Sequence, residues 1–215
     1  MGRKIIILGT AHLSTTPGKC SPDGKFKEYA FSRKVAESVA DILDQKGYSV
    51  FIDYMSNKPC QQMKGSDWKQ EQSRELSYRK DFVNSICKKF GKDKCIYVSI
   101  HVDAAGNGSK WMEARGFSVR VSPKASEESR KLARCLYGSA QNEGPDVTGN
   151  RAVPKEKYWV QNLYILNETV CPAVLTENLF QDNVKDVGFL MSEKGYNAIV
   201  NLHVNGIVEY MENND

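Results

Sequence analysis

Short runs of aliphatic and β-branched residues alternate along the chain with longer stretches whose apolar positions recur every three or four residues. This alternation predicts an α/β fold built on one mainly parallel sheet with helices on both faces. Strands are expected at Lys4–Gly9, Tyr48–Asp53, Cys95–Ile100, Gly116–Ser122, Asn162–Leu166 and Ala173–Glu177. Phe31, Val35, Val39, Ile42 and Leu43 mark a helix from Glu28 to Lys46, which Gly47 stops. A second helix is expected from Ser73, with Leu76, Val83, Ile86, Cys87 and Phe90 on one side before Gly91. Ser126 caps a third that buries Leu132, Ala133, Leu136 and Ala140, and Ser192 opens a last one carrying Tyr196, Ile199, Val200, Ile207 and Met211. Two polar stretches without a consistent period, Ser56–Gln72 and Asn142–Tyr158, read as loops, placed where substrate-facing loops commonly sit.

Composition narrows this picture. With 215 residues, 40% of them hydrophobic and 26% charged, the chain has the size of one domain, residues 1–215, and enough apolar surface for a sizeable core. The net charge of +4 comes without any long run of like charges, so no nucleic-acid arm is expected; ordinary solubility accounts for a balance this small, and an anionic surface such as a bacterial wall also suits it. Ile5-Ile6-Ile7-Leu8 falls far short of the ~20 apolar residues of a membrane span, and it is too short for a secretory leader. The 6 cysteines form no C-x-x-C pair and are expected to be interior thiols rather than a disulfide framework.

The candidate chemistry lies at strand ends. Of the 3 histidines, His12 follows the first strand and His101 ends the third, and groups at the carboxyl ends of parallel strands share one crevice. Glu177 ends the last strand run, and Glu28 opens the first helix a short loop after His12. Two histidines and a glutamate form a recurrent catalytic zinc set that leaves a position for water, and a further carboxylate can take that water's proton. Taken singly, each residue also has an ordinary use: a histidine after a strand is often a loop or core residue, and Glu28 suits the first turn of a helix. His203 lies on the inward face of the last helix and reads as a hydrogen-bonded packing residue. Cys20 and Cys171 lack any nucleophile-elbow pattern, and no Walker-type loop or G-x-G-x-x-G is present to hold a nucleotide.

These spaced motifs resemble the zinc-dependent N-acetylmuramoyl-L-alanine amidases of the Amidase_3 type over nearly the whole chain. Ile5–His12 is similar to the family's opening strand and first ligand histidine, and Lys27-Glu28 falls where its ligand glutamate precedes the first helix. Leu76-Ser77-Tyr78-Arg79 with Asn84 resembles the next helix, and Ser99-Ile100-His101-Val102-Asp103-Ala104 the strand ending in the second ligand histidine. Pro172-Ala173-Val174-Leu175-Thr176-Glu177, with Phe180 and Asn183, is similar to the closing motif that supplies a catalytic glutamate. Asn150-Arg151-Ala152-Val153 resembles an asparagine-arginine-glycine-valine run, which makes Arg151 a substrate-binding candidate. Two departures stand out: Leu13-Ser14 where the family usually has glycine, and Asn178-Leu179 in place of a small or glycine-containing pair.

The resemblance implies a twisted, mainly parallel six-stranded sheet flanked by helices. It also implies hydrolysis of the amide joining N-acetylmuramic acid to L-alanine in peptidoglycan. His12, Glu28 and His101 would hold one Zn²⁺ and Glu177 would act as the catalytic acid–base. A zinc peptidase or deacylase on another amide, or a non-catalytic peptidoglycan-binding module, are the rival expectations. Action on the cell wall is expected, by a phage-type lysin made in the cytoplasm or by a secreted enzyme shorn of its leader.

Overall fold

The computed structural model describes residues 5–213. Its frame is a six-stranded sheet of order β2-β1-β3-β6-β4-β5, made of β1 (Ile5–Thr10), β2 (Ser49–Ile52), β3 (Cys95–Asp103), β4 (Ser118–Val121), β5 (Trp159–Val160) and β6 (Ala173–Phe180). Every neighbouring pair is parallel except β4 with β6. The helices are α1 (Glu28–Gln45), α2 (Trp68–Phe90), α3 (Glu127–Asn142), α4 (Pro145–Thr148), α5 (Tyr164–Glu168), α6 (Val184–Leu190) and α7 (Glu193–Glu212), with one 3₁₀ turn at Lys92–Lys94.

Side chains alternate across the sheet and feed two cores. Ile6, Leu8, Ile96, Val98, Ile100 and Val174 pack beneath α1, α3 and α7. Ile5, Ile7, Tyr97, Ala173 and Leu175 pack on the other side against Val83 and Cys87 of α2 and Ile165 and Leu166 of α5. Strands covered on both faces read as continuous apolar runs, which is why β1, β3 and β6 stand out in the sequence. A buried polar cluster interrupts the second face. Asp53, at the end of β2, accepts from the Arg79 guanidinium (2.5 Å), the Thr10 amide (3.0 Å) and the Tyr97 hydroxyl (3.0 Å), while Arg79 also donates to Glu75 (2.9 Å). The Tyr97 ring crosses over Gly9 to reach Asp53, and any side chain at Gly9 would overlap it.

Several expected boundaries move. Lys4 lies outside the described residues. Asn162–Leu166 is not a strand: the fifth strand is Trp159–Val160, and the chain then turns into α5, with the Leu166 and Asn167 amides bonding back to the Leu163 carbonyl. Leu163, Ile165 and Leu166 face α2 from that single turn, a spacing too short to distinguish helix from strand by period. α2 begins at Trp68 because the Asp67 carboxylate accepts from the Gln70 amide (2.8 Å), so the end of the expected loop Ser56–Gln72 is helical. α4 likewise interrupts Asn142–Tyr158, and Pro145 opens it as its first residue. All six cysteines are free, with Cys87, Cys95 and Cys171 buried.

One irregularity shapes the rim. His101 pairs with Glu177, yet Asp103 pairs with Phe180, so β6 holds one extra residue there. Leu179 takes up the bulge with φ 63°, in the left-handed region that favours glycine, and its side chain is fully buried. The expected departure at Asn178-Leu179 thus coincides with a strained residue that the surrounding core holds in place.

Candidate active site

The carboxyl ends of β1, β3 and β6 meet as expected of a parallel sheet. His12 follows β1 in a loop where its own backbone has φ 39°. Arg33 of α1, itself buried, fixes that loop by donating to the carbonyls of Ala11 (2.8 Å) and His12 (2.7 Å). Ser32 ties α1 to both strands: its hydroxyl donates to the Ile100 carbonyl (2.6 Å) and accepts from the Ala11 amide (2.8 Å). Glu28 opens the same helix, so these anchors carry its carboxylate into the space between the two strand ends.

Glu28, only 1% exposed, faces both histidines. Its Oε1 is 3.6 Å from His12 Nε2 and 3.2 Å from His101 Nδ1, and it accepts from the Val102 amide at 3.2 Å. The imidazoles stand edge to face, their centroids 5.0 Å apart. The other nitrogen of His101, Nε2, meets the Ser99 hydroxyl at 3.1 Å, which fixes its ring orientation. One donor atom from each of His12, Glu28 and His101 lies within 4.8 Å of the others, and among the described residues this is the one such group.

The electrostatics of His12 and Glu28 favour their ligand forms. Burial pushes His12 down to about 3, with Glu28 opposing and His101 adding to the shift. Burial works against ionisation of Glu28, but His12 and the hydrogen bond from His101 outweigh it and hold the carboxyl at about 2. A neutral imidazole and an ionised carboxylate are the states that bind a metal.

Glu177 stands beside His101 on β6 and outside the trio. Burial, with Asp103 and Glu28 close by, pushes its carboxyl well above the ordinary range, against the pull of Arg120 and Lys19. Asn178 braces the pair by donating from its amide to the His101 carbonyl at 2.8 Å. Arg151 also comes to this rim: its guanidinium donates to Asp103 (2.6 Å) and to the Ser118 hydroxyl, and lies 4.5 Å from the Phe180 ring centroid. Arg120 donates to the same Asp103 oxygen at 2.8 Å.

His12, Glu28, His101, Glu177 and Arg151 are therefore gathered at one edge. His203 lies apart, fully buried within the α7 face, where Nδ1–H donates to the Ile199 carbonyl (2.8 Å) and Nε2 accepts from Thr176 (2.9 Å). Asp103, Arg120, Ser118 and Lys19 were not singled out from sequence. Asp103, two positions past His101 at a strand end, carried a usable signal; Lys19 carried none, because its place depends on how the loop before α1 closes. Glu75 and Arg79 of α2 line the wall beside both histidines.

Known proteins share this architecture. The CwlD amidase from Clostridioides difficile, solved in complex with the GerS lipoprotein, superposes with a TM-score of 0.80 at 21% identity, covering 98% of this chain and 99% of that one. The apo Ami1 N-acetylmuramyl-L-alanine amidase of Mycobacterium abscessus gives 0.76 at 20% identity, covering 98% and 100%. An endolysin of Bacillus phage SPP1 is 28% identical over 116 residues, 54% of this chain and 40% of the endolysin, so the match spans less than half of that relative. The family described as N-acetylmuramoyl-L-alanine amidase, Amidase_3, matches residues 6–209, and the chain belongs to it.

Proposed function

We propose that the chain is a zinc-dependent hydrolase of the amide between N-acetylmuramic acid and L-alanine in peptidoglycan. The observation that carries the reading is the two-histidine, one-carboxylate donor set with a separate acidic group, Glu177, beside it. Family membership supports the choice of bond, and the donor set supports a metal.

The residues fit zinc. Tetrahedral ligands at ~2.0–2.1 Å from an ion stand about 3.4 Å apart, and the contacts of Glu28 Oε1 with the two histidines, 3.2 and 3.6 Å, bracket that spacing. Glu28 Oε2 is buried without a hydrogen-bond partner, a lone pair that a cation would engage. When bound, zinc supplies Lewis acidity toward the scissile carbonyl and brings the pKa of water toward ~7.

The chain's own residues do the rest. Glu177 takes the proton of the attacking water on its carboxylate and returns it to the departing alanine amine. Desolvation, with Asp103 and Glu28 close by, raises the affinity of this carboxylate for a proton, which makes it the stronger base toward that water. Arg151, oriented by Asp103 and Ser118, adds positive charge where the tetrahedral oxyanion develops. The likeness to a phage endolysin and to bacterial amidases supports the cell wall as the place of action. No described helix is long and apolar enough to cross a membrane.

The test measures metal content together with amine release from peptidoglycan, with and without a chelator. One zinc per chain and chelator-sensitive release of L-alanine amino groups are expected, with mass spectrometry identifying the new termini. Glu177→Gln should keep its zinc and lose activity by about 10²–10⁴-fold. Full activity in that variant would remove Glu177 from the reaction, and release by metal-free protein would remove the zinc.

A further inference from the structure

Three cysteines far apart in sequence, Cys87, Cys95 and Cys171, meet at the end of the sheet opposite the metal trio. Cys95 opens β3, and Cys171 lies in the bend between α5 and β6. Tyr97 pairs with Ala173, and its amide donates to the Pro172 carbonyl (2.9 Å). The two cysteines, each two residues earlier, therefore lead into neighbouring strands on the same face. Cys87, in the last turn of α2, packs onto that face within the same apolar cluster. Its thiol makes side-chain hydrogen bonds with those of both Cys171 and Cys95.

The surroundings give these thiols different parts. The hydrogen bond with Cys171 draws the Cys87 thiol below its ordinary value, with burial opposing and Cys95 adding to the pull. The same bond, together with burial, pushes Cys171 up. Cys87 is thus the first of the pair to ionise, and the thiolate is the attacking form. Closing a disulfide brings the two sulfurs to ~2.05 Å, so one partner must give. Cys95 is fixed in the ladder opposite Ile5 of β1, whereas Cys171 sits in an irregular bend. Cys171 also lines a solvent-facing cavity of about 300 Å³, with Lys92, Asp93, Leu166 and Pro172, through which a small oxidant can approach.

We propose that Cys87 and Cys171 form an oxidation site, at which a peroxide closes a disulfide between the end of α2 and the start of β6. The Cys87 thiolate attacks one peroxide oxygen, the O–O bond breaks, and hydroxide leaves to be protonated to water. The Cys171 sulfur then attacks the sulfur of the Cys87 sulfenic acid, the S–O bond breaks, and a second water leaves with the proton that Cys171 gives up. Two thiols lose two electrons and two protons, and the peroxide is reduced to two waters. The bridge closes a long loop and fastens the helix that carries Arg79 to the strand that carries Glu177, at the end remote from both.

The experiment treats the fully reduced protein with hydrogen peroxide, blocks the remaining thiols and maps the peptides by mass spectrometry without reductant. The wild type should lose two thiols, yield one bridged peptide pair, Cys87 with Cys171, and melt roughly 5–10 °C higher, all reversed by a dithiol. Cys95→Ala should bridge like the wild type. Cys171→Ala should not, and its Cys87 should pass on to sulfinic acid. A bridge from Cys87 to Cys95, survival of the Cys87 and Cys171 thiols, or a melting temperature unchanged by the bridge would overturn the proposal. The wild-type map decides this even where a variant fails to fold.

Discussion

His203 gives a prediction whose size follows from the structure. The imidazole is 0% exposed, burial pushes its pKa from 6.5 down to about 4, and the hydrogen bond to the Ile199 carbonyl opposes this only in part. On protonation the Thr176 hydroxyl can reverse, accepting from Nε2 and donating toward the Ser99 carbonyl 3.4 Å away. The cost is therefore that of burying charge rather than of breaking a hydrogen bond. Between the two pKa values the unfolded chain binds a proton that the folded one refuses, so stability is complete above pH 6.5 and declines as pH falls toward 4. At 1.36 kcal/mol per unit the full loss is about 3 kcal/mol, of which about 2 kcal/mol falls between about pH 7 and pH 5. Urea unfolding of wild type and His203→Gln across that range isolates the term, since other titrating groups are common to both. The wild type should lose about 2 kcal/mol more than the variant on going to about pH 5. Parallel pH profiles would refute a neutral, buried His203.

Two further outcomes test the rim and its support. Asp53→Asn removes the charge that pairs with buried Arg79 and should cost about 3–5 kcal/mol, lowering the melting temperature by roughly 10 °C; an unchanged melt would mean that Glu75 alone satisfies Arg79. Arg151→Lys keeps the charge but loses the fork that joins Asp103 and Ser118, and steady-state kinetics should show kcat lower by at least about ten-fold with the fold intact. An unaffected kcat would place Arg151 outside the reaction.

The parts of the fold legible in sequence are those that bury both faces or one clear stripe. β1, β3 and β6 are apolar runs, and α1, α3 and α7 carry helical stripes ended or opened by Gly47, Ser126 and Ser192. The first turn of α2 has no such stripe and rests on the Asp67 cap, while β5 is two residues long, too short for any period to register. That His12, Glu28 and His101 meet, with Glu177 beside them, was legible for a topological reason, because parallel strands deliver their ends to one rim whatever the intervening sequence. The charged residues that orient this rim were not. Asp53 and Arg79 are 26 positions apart and Asp103 and Arg151 are 48, and a lone charged residue in a sequence carries no mark of the partner that allows its burial.

The place of β6 in the sheet has a consequence for the order in which the molecule can be assembled. It is the last of the six described strands in chain order, yet it lies between β3 and β4, so the ribbon β2-β1-β3 and the pair β4-β5 share no edge until it arrives. A nascent chain therefore holds His12, Glu28 and His101 long before it owns the strand that closes the sheet. Because that same strand carries Glu177, the sheet is sealed and the proposed acid–base group delivered in a single late event. Such long-range closure is slow compared with local pairing. A chain cut short before β6 would accordingly be left with two unjoined ribbons, an exposed edge on each and no Glu177.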